Sequence, residues 1–426
     1  MQADRGPFYA RGVSWPPIAR LVRVLAPLFV VALTTPAVAG AKSNAAVLTF
    51  RVAEVGSPGN PSASIVPFED GIYQSCASAP AGKTCLMLGS VPYAYGIGEL
   101  EVTVRQYVAF LNTVDPTGRN RHSLFSTDES PSVWPKYGQI NLRSKAAAGR
   151  HYSVGYPQWV DKPYGFADFL RVARFANSLT NGKVLSKQRQ TSGRFTYVIY
   201  KVRLSPVTER GMYDLRNPKT TRKRRTGFVI PSQDEWIKAA YFDPTGGGTY
   251  SYWKYPTNPG TFFDQSGPLV PGPTAPNVAT LNPSTGDVTN SSRQPRAIYK
   301  GASVPTWCPS QVSAKRCNRV NPLHLPPSIY QKLYQGSLGT VGQSRTFSPW
   351  GTLDQGGNAV EWTDTITPPP AGKTGARVWR RLHGGVPNAP DYQLWLSAVG
   401  LQPQNNKFYN THYPWLGFRI GVLGNP

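Results

Sequence analysis

The residues best placed for chemistry lie in one short run, Ser348-Pro349-Trp350-Gly351-Thr352-Leu353-Asp354-Gln355-Gly356-Gly357-Asn358-Ala359-Val360-Glu361-Trp362-Thr363. Gly356 and Gly357 permit backbone angles closed to other residues, so the run reads as a tight turn that can aim carbonyls at one point. Asp354 and Glu361 add carboxylate oxygens, and mixed carboxylate and carbonyl oxygens are what a hard cation such as calcium takes. The alternative is a Gly-rich turn with solvated acids. Spacing alone favours that alternative, because the run is not an EF-hand pattern.

A second group is basic. The chain has 426 residues and a formal net charge of +24, and removing the four Arg and one Asp of residues 1–39 leaves +21. Between Lys183 and Thr226 there are 13 Lys and Arg against Glu209 and Asp214, ending in Arg222-Lys223-Arg224-Arg225. About half of the charge therefore sits in one tenth of the chain. Together with Lys187, Arg189, Arg194 and Lys201, the tetrad could engage phosphate, sulfate or carboxylate polymers, with affinity falling as salt rises. A solvated charge run that aids solubility weighs about equally.

The start of the chain argues for export. Arg5, Arg11, Arg20 and Arg23 precede an apolar Val24–Leu33, and Ala37-Val38-Ala39 supplies small residues for cleavage, so residues 1–39 read as a signal peptide. The apolar run is short for a bilayer and interrupted by Pro27 and Pro36. No membrane span is expected after cleavage, and the expected location is periplasmic or extracellular, with no nucleic-acid partner. Cys76 and Cys85 are nine positions apart, as are Cys308 and Cys317. Two local disulfides are the simplest pairing, although four cysteines permit three connectivities. A four-cysteine metal site ranks below, since the short C-x₂₋₄-C spacing is missing.

Elements to position these groups can be read from caps and periodicity. Val52–Gly56 reads as a first strand. Thr103 with Gln106, and Ser232 with Glu235, have the spacing of capping boxes opening helices. Tyr107, Phe110 and Leu111 share one face of the first, and Trp236, Ala239 and Ala240 face inward from the other. A further helical pattern follows Pro163 and runs through Phe166, Phe169, Leu170 and Ala173 to a stop at Asn181-Gly182. Phe195–Leu204 has strand composition, so the basic tetrad is expected to top a loop or hairpin. Gly 41 and Pro 41 point to a loop-rich mixed fold with little regular secondary structure.

The Ser348–Thr363 run resembles the signature S-P-x-G-L-x-D-x-x-G-N-x-x-E-W of the sulfatase-modifying-factor family, whose best-known member is the formylglycine-generating enzyme. Further matches follow in the family's order: Tyr95-Gly96-Ile97-Gly98-Glu99-Leu100-Glu101-Val102-Thr103-Val104-Arg105-Gln106-Tyr107, then Arg174-Phe175-Ala176-Asn177. They continue with Ile230-Pro231-Ser232-Gln233-Asp234-Glu235-Trp236-Ile237-Lys238-Ala239-Ala240 and end with Gly417-Phe418-Arg419. The resemblance implies a single α+β domain over residues 48–424, related to C-type lectins, with insertions at 183–226 and 291–336. It also implies structural Ca2+ held by the side chains of Asp354 and Glu361 and the carbonyls of Gly357 and Ala359, with a second site beginning at Asn277 and Val278 and using Asp287.

The family's active enzymes use a C-x₄-C pair that binds copper. The corresponding stretch here, His383–Ala398, contains no cysteine. Cu(I) needs soft thiolate ligands, so copper is not expected and the oxidation loses its centre. Other branches hold iron through histidines, yet His122, His151, His324, His383 and His412 form no ligand motif in sequence. The expectation is an exported, non-catalytic, calcium-stabilised binding scaffold whose partner is an anionic polymer, a cell-surface glycan or an exported protein. The alternative is an oxidoreductase that generates formylglycine in exported sulfatases or modifies another protein.

Overall fold

In chain order the strands are β1 (Val47–Val55), β2 (Ala63–Val66), β3 (Gln74–Ser75), β4 (Leu86–Leu88), β5 (Tyr95–Gly98), β6 (Ile140–Leu142), β7 (Tyr152–Val154), β8 (Lys183–Ser192), β9 (Phe195–Arg203), β10 (Gly227–Val229), β11 (Asn277–Val278), β12 (Arg296–Ala297), β13 (Val360–Thr367), β14 (Trp379–His383), β15 (Gly400–Pro403), β16 (Leu416–Gly417) and β17 (Gly421–Leu423). The helices are α1 (Val104–Val114), α2 (Phe169–Thr180) and α3 (Gln233–Tyr241). This computed structural model describes residues 45–66, 74–75, 85–133, 138–217, 219–246, 251–257, 276–282, 285, 287–289, 296–299, 338–369, 377–385, 387, 394, 400–404 and 415–426. The fold is mixed and sheet-rich. The signal segment at 1–39, and Cys76, Cys308 and Cys317, lie outside the described residues; Cys85 is disulfide-bonded.

Two sheets organise the unit Lys42–Pro426. The larger has strand order β10-β17-β5-β1-β9-β8 and is antiparallel throughout. The smaller runs β15-β14-β13-β16, with β13 and β16 parallel. Only Phe418, Arg419 and Ile420 separate β16 in one sheet from β17 in the other, which puts Arg419 at the junction.

The caps form as their spacing predicts. The Thr103 hydroxyl accepts the Gln106 N–H while the Gln106 side chain accepts the Thr103 N–H at 2.9 Å, and Ser232 and Glu235 do the same for α3. Helix α2 begins later than Pro163, at Phe169, because Asp168 is its cap and accepts the Arg171 N–H at 2.8 Å. Phe175 joins this helix to the rest, lying 5.1 Å from Phe110 and 5.3 Å from Phe418 between ring centres. The first strand is longer than expected, since β1 is held on both sides by β5 and β9.

Parts of the two stretches expected to be insertions are described. The hairpin of β8 and β9 turns at Gly193-Arg194, with Gly193 at φ +58, as a two-residue turn requires. Of the two places expected for the basic tetrad, a loop or a hairpin, it lies in the loop before β10, where Tyr213 and Arg222 form a bridge. Of the second stretch, residues 296–299 are described. Arg296–Ala297 pair in parallel with Asn277–Val278, and the Ile298 carbonyl accepts the Asn358 N–H at 2.8 Å.

Candidate functional site

The Ser348–Thr363 turn is shaped by hydroxyls and left-handed residues. Ser348 Oγ lies 2.7 Å from the Thr352 hydroxyl, from which it accepts, and also accepts the Thr352 N–H at 3.1 Å. Asp354 at φ +58, Gly357 at φ +94 and Asn358 at φ +56 then reverse the chain. Gly357 is required on two counts: its φ, and the Ile298 carbonyl oxygen, which lies 2.2 Å from where a Cβ would stand. Asn358 is wholly buried, donating to Glu101 Oε1 at 3.1 Å and accepting the Gly339 N–H at 2.9 Å.

Glu361 opens β13 and its carboxylate is fully engaged. Arg419 grips it at both oxygens, Nη2 to Oε1 at 2.6 Å and Nε to Oε2 at 2.7 Å, and Trp236 Nε1 donates to Oε2 at 2.8 Å. Arg419 also donates to the carbonyls of Gly98, Glu99 and Leu353. One guanidinium thus joins four of the five segments that carry the family resemblance, either directly or through Glu361. The fifth reaches the same place through Phe175 against Phe418. These shared residues are the frame of the fold.

This engagement tests the calcium ligands expected from the resemblance. Asp354 fits: it is 3% exposed, its Oδ2 accepts the Gly342 N–H, and its Oδ1 has no hydrogen bond of proper geometry, although the Ser344 hydroxyl is near enough to ease its charge. Glu361 does not fit, because a cation there would have to displace Arg419 and would meet its charge. The Ala359 carbonyl faces Gly384, 3.3 Å from where that glycine's Cβ would stand, and the Gly357 N–H is bonded to the Gly384 carbonyl at 2.6 Å. Of the expected set Asp354, Gly357, Ala359 and Glu361, it is Glu361 whose oxygens Arg419 and Trp236 already occupy.

Sequence reasoning passed over Glu101 as a candidate. It is buried at 2% exposure, and its Oε2 has no hydrogen-bond partner. Burial pushes its carboxyl well above the usual range, and the neighbouring Asp354 charge pushes it further. Burial raises Asp354 as well. The signal was present, since Glu101 lies in a matched motif, but nothing local says that it faces Asp354.

The second expected calcium site gathers little. Asn277 is exposed and stands in register with Arg296, while Asp287 accepts from Gln343 Nε2 at 3.1 Å. His383 is buried and stacks on Trp236 with ring centres 5.1 Å apart; His324 and His412 lie outside the described residues. Among the described residues, no group of three or more His, Cys, Asp or Glu could hold a metal. No helix there is long and apolar enough to cross a membrane.

The basic tetrad divides in two. Arg222 points inward, bonded to both oxygens of Glu235 at 2.7 and 2.6 Å, to Asp364 through Nε, and to the Ile230 carbonyl at 2.7 Å. Burial alone would raise the Glu235 carboxyl, but the charge and hydrogen bonds of Arg222 hold it below its ordinary value. Arg222 is therefore removed from the anion-binding set. Lys223, Arg224 and Arg225 are exposed.

The hairpin supplies what the tetrad loses. Lys183 stands directly opposite Arg203, and Lys201, two residues before Arg203, shares its face; all three are exposed. None of the three forms an ion pair among the described residues, whereas Arg174, Arg189, Arg216 and Arg222 each meet a carboxylate. The two basic segments approach each other at the chain end. Lys187 Nζ donates to Asn425 Oδ1 at 2.7 Å, and Thr226, next to Arg225, packs on Gly424.

No family model matches the chain, and no curated protein matches it. Similar solved structures include variable protein 1 of Treponema denticola, with 15% identity and TM-score 0.38, covering 89% of this chain and 99% of that one. CarF, at 12% identity and TM-score 0.34, covers 89% and 99%. PvdO from Pseudomonas aeruginosa, at 12% identity and TM-score 0.35, covers 89% and 94%.

Proposed function

We propose that this chain is an exported, non-catalytic scaffold of the formylglycine-generating-enzyme type that binds an anionic polymer, such as a sulfated or carboxylated glycan, through its basic hairpin. The observation that carries the reading is the unpaired basic face of β8 and β9. Like charges directly opposite each other on a sheet are destabilising, so Lys183 against Arg203, with Lys201 alongside, stores repulsion that a bound anion relieves. The exposed Lys223, Arg224 and Arg225 extend the same field. The absence of cysteine from His383–Ala398 supports the non-catalytic part, and the five ordered motifs support the family.

Heparin retention tests the binding. The wild-type chain is expected to elute late and to be released by salt. The triple variants Lys183→Ser/Lys201→Ser/Arg203→Ser and Lys223→Ser/Arg224→Ser/Arg225→Ser are each expected to elute at lower salt, the hairpin variant lowest. Elution that neither triple variant changes would overturn the reading. Aldehyde formed on a C-x-P-x-R peptide incubated with protein and copper, read by mass spectrometry, would overturn the non-catalytic part.

A further inference from the structure

We infer that one face of the hairpin of β8 and β9 is a track for a single acidic oligosaccharide, held by Lys183, Lys201 and Arg203 at one end and by an aromatic step, Phe347 on Phe195, at the other. The inference rests on the glycan reading above and deepens it, since it requires a ligand with sugar rings and not charge alone. Register fixes which residues share the face. Lys183 stands opposite Arg203, Ser186 opposite Lys201, Gln188 opposite Ile199, Gln190 opposite Tyr197 and Ser192 opposite Phe195. Residues directly opposite each other, or two apart in one strand, point to the same side of a sheet. The remaining bases of β8 lie on the other side and are engaged, Lys187 with Asn425 and over the Tyr200 ring, Arg189 with Glu54. Within the two strands, charge on this face is therefore confined to the end at Lys183, Lys201 and Arg203.

Phe347 makes the other end. It is 40% exposed, and its ring centre lies 5.3 Å from that of Phe195. Phe195 is seated against Gly351, where a Cβ would stand 2.7 Å from the ring. At the turn, the Arg194 guanidinium lies 5.1 Å from the Phe195 ring centre, exposed and without an ion pair among the described residues. A flat apolar ring beside an unpaired guanidinium suits a charged sugar, whose C–H face lies on the ring while its sulfate or carboxylate meets the base. A polyphosphate has no such apolar face. Between the two ends, Ser186, Gln188, Gln190 and Ser192 are exposed, and their side chains make no hydrogen bond among the described residues. Uncharged amides and hydroxyls with donors and acceptors to spare match a row of sugar hydroxyls. Phe195 to Lys201 is six residues of β9, roughly 20 Å at about 3.3 Å per residue, so an oligosaccharide reaches both ends and a single sugar does not.

The test titrates the full chain, at one salt concentration, with heparin disaccharide, heparin hexasaccharide and a polyphosphate of matched length. The wild type is expected to bind the hexasaccharide far more tightly than the disaccharide, because one ligand then engages both ends. Phe347→Leu keeps an apolar side chain without a flat ring, so hexasaccharide affinity should fall about tenfold while polyphosphate affinity is unchanged. Phe347→Tyr should retain wild-type affinity for both. Lys183→Ser/Lys201→Ser/Arg203→Ser should weaken both ligands. Hexasaccharide affinity unmoved in Phe347→Leu but lowered in the triple variant would overturn the inference and leave the glycan reading standing. Equal losses of hexasaccharide and polyphosphate in Phe347→Leu would do the same, since the ring would then be shaping the charge and not meeting a sugar. A triple variant that binds the hexasaccharide as the wild type does, or a wild type that does not bind it, would remove the glycan reading and the inference together.

Discussion

Replacing Arg222 by Ser removes a guanidinium that is only 17% exposed and that bonds both oxygens of Glu235, one oxygen of Asp364 and the Ile230 carbonyl. Glu235 is then a carboxylate with 1% exposure and no base, retaining only the Tyr93 hydroxyl and its cap. Breaking a buried pair from one side costs about 3–5 kcal/mol, so the folding equilibrium should fall by about a thousandfold. Lys223→Ser, one residue along and exposed, should stay within about 0.5 kcal/mol of wild type. Urea unfolding followed by the fluorescence of the 11 tryptophans measures both. The pH dependence has a definite sign. Arg222 lowers the folded pKa of Glu235, so its contribution is full above the unfolded glutamate value of about 4.3 and is lost as pH falls through the folded value. The gap between wild type and Arg222→Ser should therefore narrow in acid. A cost for Arg222→Ser no larger than that for Lys223→Ser, or a gap that widens in acid, would refute the assignment of Arg222 to the interior.

Other substitutions test separate parts of the frame. Arg419→Lys loses the two-point grip on Glu361 and should cost about 3–5 kcal/mol in the same assay, since a lysine cannot reproduce the fork. Gly357→Ala must accept φ +94 and a carbonyl 2.2 Å from its Cβ, and should lower stability by more than Gly193→Ala, where φ is +58 but no atom lies within 4 Å and the cost is about 1–2 kcal/mol. Burial moves the Lys162 ammonium from 10.5 to about 8, with its Nζ over the Trp159 ring. Between those values the unfolded chain binds more protons, so stability should rise with pH by up to about 3 kcal/mol relative to Lys162→Met, which lacks the group. Equal slopes for the two proteins between pH 8 and 10 would remove Lys162 as the source.

What the sequence determined by itself is local. A Ser or Thr three residues before a Gln or Glu satisfies the first N–H groups of a helix from within the same turn, so α1 and α3 could be placed from Thr103, Gln106, Ser232 and Glu235 alone. The glycines of the 356–357 turn and the apolar face of α1 are equally local facts. What the tertiary structure decided is which charge meets which. Arg222 and Lys223 are neighbours in the chain with the same formal charge, yet one is drawn into the core by Glu235 and Asp364 and the other is left in water. Lys183 and Arg203 face each other only because β8 and β9 pair in that register. Glu361 looks like an ion ligand until Arg419, 58 residues on, takes both its oxygens, and Glu101 looks ordinary until the turn brings Asp354 beside it. Spacing along a chain settles hydrogen bonds within a turn of helix, but the balance of buried charge is struck between segments hundreds of residues apart, and only folding brings them into range.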